Sequence, residues 1–348
     1  MTRFGKVYRG LVLFFFLSVG IIVSLNAWQK EGNKKEFSVT GLVYHRFGDE
    51  RYPSTNTTVK QFEEQLEWLK QNGYQTLTTS EAYVQINKGT LGEKVVCITV
   101  DDGYRSFMEN GLPILEKYGM KATLFVNTES VGWADYLTWQ ELRDIQSRGV
   151  EIGNHSHKHS YFMNKSHSDF ELDLSQSEKL FKDELGMVPK SYAYPYGEFS
   201  EAMADVLRAK GYQAGFAQFS GVWTEKTNSY SVPRFPMSGT NISLERFVEK
   251  VKMKQLFLQG ISTYPIVVNS GKSMEFKFAF NTGLYAEPFN CFVNGQPVSN
   301  SLKDKGVFTI NIEKMPARRR STLTVTTRNV DGAWCWHSSL LLNSTIEE

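Results

Sequence analysis

The sequence predicts an α/β domain, either barrel-like or doubly wound, followed by a small all-β sandwich-like domain. Three observations carry that expectation. Between about residues 40 and 217, short apolar segments alternate with amphipathic ones, the pattern of a mainly parallel sheet with helices outside it. Near residue 260 this gives way to short alternating runs separated by turn signals. Three polar segments each follow an apolar strand candidate, where parallel α/β folds place their ligand sites.

The strand candidates of the first region are residues 41–45, 95–100, 122–126, 150–153, 191–194 and 212–217, rich in β-branched and aromatic residues. Helix candidates lie between them. Residues 59–71 set Phe62, Leu66 and Leu69 at helical spacing, with Gly73 as the stop. Thr138 with Glu141, and Ser168 with Glu171, form the capping-box pattern that opens a helix. A further helix is expected at residues 201–210, stopping at Gly211, and an apolar-rich one at 244–258 joins the two regions. Beyond it, MEFKFAF, GVFTINI and TLTVTT alternate, and Asn294-Gly295, Lys305-Gly306 and Asp331-Gly332 supply turns. The expected division is an N-terminal segment at 1–28, an α/β domain at 29–260 and an all-β accessory domain at 261–348.

Arg3, Lys6 and Arg9 precede an apolar run at residues 11–25, which reads as an export signal. Leu25 is large where a cleavage site prefers a small residue, so a cleaved signal peptide and an uncleaved membrane anchor both stay open. Either one places the protein outside the cytoplasm: periplasmic, membrane-anchored, at the cell surface or secreted. Lysine plus arginine (39) nearly balances aspartate plus glutamate (37), which leaves no electrostatic footprint for nucleic acid. Three cysteines are too few for a disulfide scaffold. Cys97 lies in the apolar VVCITV run and reads as core. Cys291 and Cys335 either form one bridge after export or stay free.

The first chemistry-bearing segment is Thr99-Val100-Asp101-Asp102-Gly103. Two adjacent carboxylates at a strand end sit badly in a core, although Asp-Asp-Gly is also ordinary turn chemistry. The second is Asn154-His155-Ser156-His157-Lys158-His159, which holds three of the chain's six histidines. His155 and His159, four apart, can bring two imidazoles to one ion. The third is Ala193-Tyr194-Pro195-Tyr196-Gly197-Glu198, where Pro195 and Tyr196 are candidates for the substrate and oxyanion side. Two imidazoles and a carboxylate leave positions open on a tetrahedral zinc, which activates water and polarises a carbonyl. A second carboxylate can take the water's proton, and another imidazole can protonate a leaving nitrogen.

These segments resemble the motifs of the polysaccharide deacetylase family, carbohydrate esterase family 4, whose NodB-homology domain is a distorted (β/α) barrel. The resemblance covers roughly residues 38–240. It implies Asp101 as catalytic base, Asp102, His155 and His159 as ligands of Zn2+, and the Tyr196 backbone amide as an oxyanion donor. Co2+, Ni2+ or Fe2+ accept similar ligands. The substrate class it implies is N-acetylglucosamine-containing polysaccharide: biofilm poly-N-acetylglucosamine, chitin-like oligomers or peptidoglycan.

Two positions depart from the family pattern. The third motif usually opens with an arginine that orients the aspartate, and Ala193 stands there; Arg234 is the candidate replacement. The usual leucine-x-histidine motif is missing, and Leu42-Val43-Tyr44-His45-Arg46 resembles instead the poly-N-acetylglucosamine subgroup, which implies His45 as general acid. His157 is expected to point outward or brace its loop, with replacement of His155 or His159 as a ligand the alternative, and His167 and His337 to be structural or exposed. The rival reading is a catalytically degenerate surface carbohydrate-binding protein. The β domain could bind glycan, pack on the first domain, or meet a partner in an export complex; Trp334 and Trp336 are expected in its core.

Overall fold

The computed structural model describes residues 37–239, 242–304 and 306–346. The export-segment expectation at residues 1–28 lies outside them. Among the described residues no helix is long and apolar enough to cross a membrane.

Six strands form the body of the first sheet: β1 (Ser38–Tyr44), β2 (Val95–Val100), β3 (Ala122–Val126), β4 (Glu151–Asn154), β5 (Ser191–Ala193) and β6 (Ala214–Phe216). They lie side by side in chain order and every neighbouring pair is parallel. Parallel strands need crossover connections, and helices supply them: α1 (Val59–Gln71), α2 (Thr79–Lys88), α3 (Leu112–Tyr118), α4 (Trp139–Ser147), α5 (His167–Leu185) and α6 (Glu201–Ala209). Because the strand order never reverses, the sheet is not doubly wound but curls toward a barrel.

The pleat divides each strand between two cores. On β2, Val96, Ile98 and Val100 join the helices outside, whereas Val95 and Cys97 face an inner cluster with Phe125, Ala193, Phe216 and Val232. Thr99 and Asp101 continue that inner row, so the period of two carries an apolar strand into the site.

The gap between β6 and β1 is closed by residues 232–236. Val232 bridges to Phe216 on one side, and Phe235 pairs in parallel with Leu42 on the other. Arg234 sits between these two pairings. Gly41 makes room for it: a Cβ there would lie 3.0 Å from the Pro233 carbonyl and 3.2 Å from Arg234 Cγ.

Helix starts follow local chemistry. Thr58, Thr78 and Thr138 each close a capping box with Gln61, Glu81 and Glu141. One expectation is corrected here. Helix α5 is capped by Ser166 with Asp169, not by Ser168 with Glu171. The two patterns overlap in the sequence, and the earlier one wins because it adds two residues to the helix. The joining helix α7 (Leu244–Lys252) also ends sooner than residue 258. After it, Lys254–Gln255 pairs with the last strand of the second region.

That second region is all-β. Strands β8 (Tyr285–Val293), β11 (Arg320–Asn329) and β12 (Trp334–Leu342) form one sheet, and β7 (Met274–Ala279), β9 (Ser299–Asp304) and β10 (Val307–Ile312) a second. Phe276, Phe278, Phe289, Phe308, Ile310, Leu323 and Val325 fill the core between them. The three cysteines are free and buried. Cys291 pairs with Val325 and Cys335 with Thr327, so β11 stands between the two thiols. Two strand spacings of about 4.8 Å exceed the ~4.4–6.8 Å Cα span of a disulfide. The tryptophans are not in the β core either. Trp334 is 39% exposed beneath Arg328, and Trp336 packs edge-on against Phe235 of the barrel.

Candidate active site

The ends of β1, β2 and β4 and the turn after β5 meet at one mouth of the barrel. Asp101 follows β2, and its amide donates to the Tyr44 carbonyl at 2.9 Å, which locks it beside the end of β1. Its side chain points inward and is fully buried. Arg234 Nη1 donates to Oδ1 at 2.7 Å and Nη2 to Oδ2 at 2.8 Å. The guanidinium is held in turn: Nε donates to the Ala217 carbonyl at 3.0 Å and Nη1 to Thr99 Oγ1 at 3.0 Å. Gln218 adds a donor to Oδ2 at 3.3 Å. Burial alone would raise the Asp101 carboxyl; Arg234, with His155 and His45, outweighs it and leaves the group below its usual range.

Asp102 turns the other way, because it occupies the left-handed region at φ 78°. Asn127 Nδ2 donates to its carbonyl at 3.2 Å. The adjacent carboxylates therefore point into different surroundings, one clamped by a guanidinium and the other facing imidazoles.

His155 Nε2 lies 3.4 Å from Asp102 Oδ1, His159 Nε2 lies 3.3 Å from the same oxygen, and the two Nε2 atoms are 3.2 Å apart. A tetrahedral cation with bonds of about 2.0–2.1 Å separates its ligand atoms by about 3.3 Å, so this triangle has the right size. The His155 tautomer fits as well. Its Nδ1 donates to the Ala193 carbonyl at 2.7 Å, which leaves the Nε2 lone pair facing the other two ligand atoms. Among the described residues, Asp102, His155 and His159 are the cluster of this kind.

The histidine loop is shaped from outside. Asp173, on the buried stripe of α5, accepts from the amides of His157 at 2.7 Å and Lys158 at 2.8 Å. The Ser156 hydroxyl accepts from the His159 amide at 2.8 Å. Ser156 and His159 are both left-handed, at φ 71° and 49°. His157 turns away from the triangle, with Nδ1 against Thr128 Oγ1 at 2.9 Å.

Tyr196 completes the wall in a left-handed conformation of φ 58°, ψ 5°. The Gly197 and Glu198 amides close that turn onto the Tyr194 and Pro195 carbonyls, and the Tyr196 amide takes no part in it. Its ring stacks on Tyr161 at 3.8 Å and meets His159 edge-on at 4.5 Å. Burial, then Tyr161, pushes the Tyr196 hydroxyl up to about 12. Pro195 is buried behind it. His45 faces the same cavity as Asp102, His159, Tyr196 and Gln218, beyond which lie Tyr104, Trp133, Tyr136 and Lys158. His45 Nδ1 is buried without a hydrogen-bond partner, and burial lowers its pKa against the pull of Asp102 and Asp101.

Similarity to known proteins agrees with this geometry. Residues 88–215 match the family model described as polysaccharide deacetylase. The chain is 30% identical over 214 residues to YxkH of Bacillus subtilis (strain 168), which carries a polysaccharide deacetylase assignment, covering 61% of this chain and 75% of that one. The chain belongs to the polysaccharide deacetylase family. It is 28% identical over 219 residues to the poly-beta-1,6-N-acetyl-D-glucosamine N-deacetylase of Staphylococcus aureus (strain MSSA476), covering 59% of this chain and 76% of that one. The Streptococcus pyogenes deacetylase PplD shares the fold, with a TM-score of 0.59 at 24% identity over 62% of this chain and 99% of that one. IcaB from Ammonifex degensii does so with a TM-score of 0.54 at 23% identity, over 62% and 97%.

Sequence reasoning missed four residues at or beside this deacetylase site. Asp173 had a signal: an aspartate inside the apolar stripe of a helix. Gln218 and the arginines at 319 and 320 had none, because their proximity depends on how distant segments close.

Proposed function

We propose that this deacetylase hydrolyses the N-acetyl groups of N-acetylglucosamine-containing polysaccharide, with poly-N-acetylglucosamine the preferred polymer, and uses a divalent cation, Zn2+ first, held by Asp102, His155 and His159. The observation that carries the reading is the pairing of that ligand triangle with a neighbouring carboxylate, Asp101, kept ionised by Arg234. The named activity of the similar staphylococcal protein supports the choice of polymer.

When bound, the cation supplies Lewis acidity, which makes a water more acidic and a carbonyl more electrophilic. The chain's own residues do the rest. Asp101 Oδ2 is engaged by both Arg234 and Gln218, whereas Oδ1 keeps a lone pair beyond the one that Arg234 engages and takes the proton of the attacking water. The Tyr196 amide, outside its own turn's hydrogen bonds, donates to the oxygen that becomes negative. His45 gives a proton to the nitrogen as the carbon–nitrogen bond breaks, so acetate and a free amine leave. Trp133 and Tyr136 give the cavity mouth an aromatic edge for pyranose faces.

In this reading residues 29–260 form the catalytic domain and 261–348 the accessory one, and residues 1–28 export or anchor the protein outside the cytoplasm. The test is acetate release from N-acetylglucosamine oligomers of β-1,6 and β-1,4 linkage and from peptidoglycan, with and without a chelator. Chelator-sensitive release, fastest on the β-1,6 polymer, is expected. Oligomer binding with no acetate under any metal would leave a carbohydrate-binding protein instead.

A further inference from the structure

Two adjacent arginines at the start of β11 leave the β domain and enter the deacetylase site. Arg319 is 1% exposed, and so is its partner Glu198, two residues after Tyr196. Arg319 Nε donates to Glu198 Oε1 at 2.7 Å and Nη2 to Oε2 at 2.6 Å. Nη2 also donates to Asn164 Oδ1 at 3.1 Å, and Nη1 to the Ile346 carbonyl at 3.0 Å. The guanidinium carbon stands 4.5 Å from the Tyr161 ring centroid, and that ring stacks on Tyr196. One side chain of the β domain thus ties together the loop that carries His159 and the turn that carries Tyr196. A buried ion pair must repay the desolvation of both charges, so it is better suited to fixing one arrangement than to adding stability.

Arg320 reaches further in. Its Nη1 donates to the Tyr196 carbonyl at 2.9 Å, its guanidinium carbon lies 5.4 Å from the Tyr196 ring centroid, and it lines the cavity with Asp102, His159 and His45. Tyr196 needs such a hold. A side-chain-bearing residue at φ 58° sits where L-residues are disfavoured, and relaxing it would rotate both peptides that flank its Cα. One of those peptides carries the amide assigned above to the oxyanion.

We propose that Arg320 is a positioning residue that acts through Tyr196: the β domain holds the Tyr196 turn in its working conformation, and the active site is incomplete without it. The proposal rests on the oxyanion role given to the Tyr196 amide. Arg319 is the fixed anchor behind it and Arg320 the adjustable contact.

The test compares Arg320→Ala and Arg320→Lys in the full chain. Four quantities are read: kcat, KM, Zn2+ stoichiometry, and hydrogen exchange of the amides at residues 194–200. Arg320 is partly exposed, so the alanine variant is expected to fold and to melt where the parent does. Arg320→Ala should lower kcat roughly ten- to hundredfold, with little change in KM or bound zinc and with faster exchange at 194–200. Arg320→Lys keeps one donor to the Tyr196 carbonyl and should recover most of both losses. Unchanged exchange at 194–200 in Arg320→Ala would overturn the proposal, as would a kcat loss that tracks zinc loss or a lysine variant as poor as alanine. A parent protein that releases no acetate would instead sink the functional reading, and the exchange comparison would still judge the brace.

Discussion

Arg234 grips Asp101 with both terminal nitrogens, at 2.7 and 2.8 Å, and both side chains are completely buried. Position 193, where the family's third motif usually carries that arginine, holds an alanine among Phe125 and Phe216. The guanidinium occupies the space between those rings, 5.5 and 5.9 Å from their centroids. The same partner reaches the carboxylate from a different segment of chain.

Arg234→Gln leaves a buried carboxylate without its counter-charge. Breaking such a pair costs about 3–5 kcal/mol, so the melting temperature should fall by many degrees. Arg234→Lys keeps a charge and loses the fork. Its stability loss should be smaller, yet acetate release should still drop by about two orders of magnitude if carboxylate orientation matters. A lysine variant with parental turnover would show that charge alone suffices.

Metal linkage is read most directly by melting. If Asp102, His155 and His159 bind Zn2+ only when folded, adding it at about 100 times its Kd should stabilise the protein by about 2.7 kcal/mol, and a chelator should reverse this. His155→Ala should abolish the zinc-dependent shift, whatever its own melting temperature. An equal shift in that variant would place the ion elsewhere.

Gly197 packs on Gln218, and a Cβ there would meet the Gln218 backbone nitrogen and Cβ at 2.6 Å, at a φ of 71°. Gly197→Ala therefore has to push Gln218 away from Asp101 or distort the Tyr196 turn. We expect a destabilisation of about 1–3 kcal/mol and a fall in kcat larger than any rise in KM. Denaturant midpoints and steady-state kinetics measure the two separately.

His337 provides a pH test away from the metal ligands. It lies partly buried in the cleft between the two domains, near Ser339 Oγ at 3.1 Å. Burial lowers its pKa from 6.5 to about 4, against a hydrogen bond to Leu256. The unfolded chain then binds more protons between those values, so stability is full above the unfolded pKa and is lost as pH falls from about 6.5 toward 4. The ceiling is roughly 3 kcal/mol, reduced by the side chain's partial exposure. Urea midpoints of the parent should fall toward those of His337→Gln as pH drops from 7.5 to 4.5; a constant difference would refute the assignment.

The parts that were legible in the sequence share a property: their signal is local. Strands 95–100 and 122–126 and the helix at 59–71 follow from apolar period and caps, and their bounds match the structure. The two aspartates and the histidine cluster are legible because each follows such a strand. The Ser166 cap was misread because two overlapping patterns competed within a few residues. Arg234 was visible only as a guess, because its place depends on which strand pair residues 232–236 join. Arg319 was invisible for the same reason at longer range. The Cys291–Cys335 bridge, which the sequence leaves open, is a register question: both residues are inward and close in the fold, but a third strand lies between them.

The segment at 232–236 does two jobs at once. It seals the seam between the last parallel strand and the first, and it carries the guanidinium that keeps Asp101 ionised. Were that seam open, the aspartate would have no counter-ion and no fixed direction, so closing the barrel and preparing the carboxylate are one structural event.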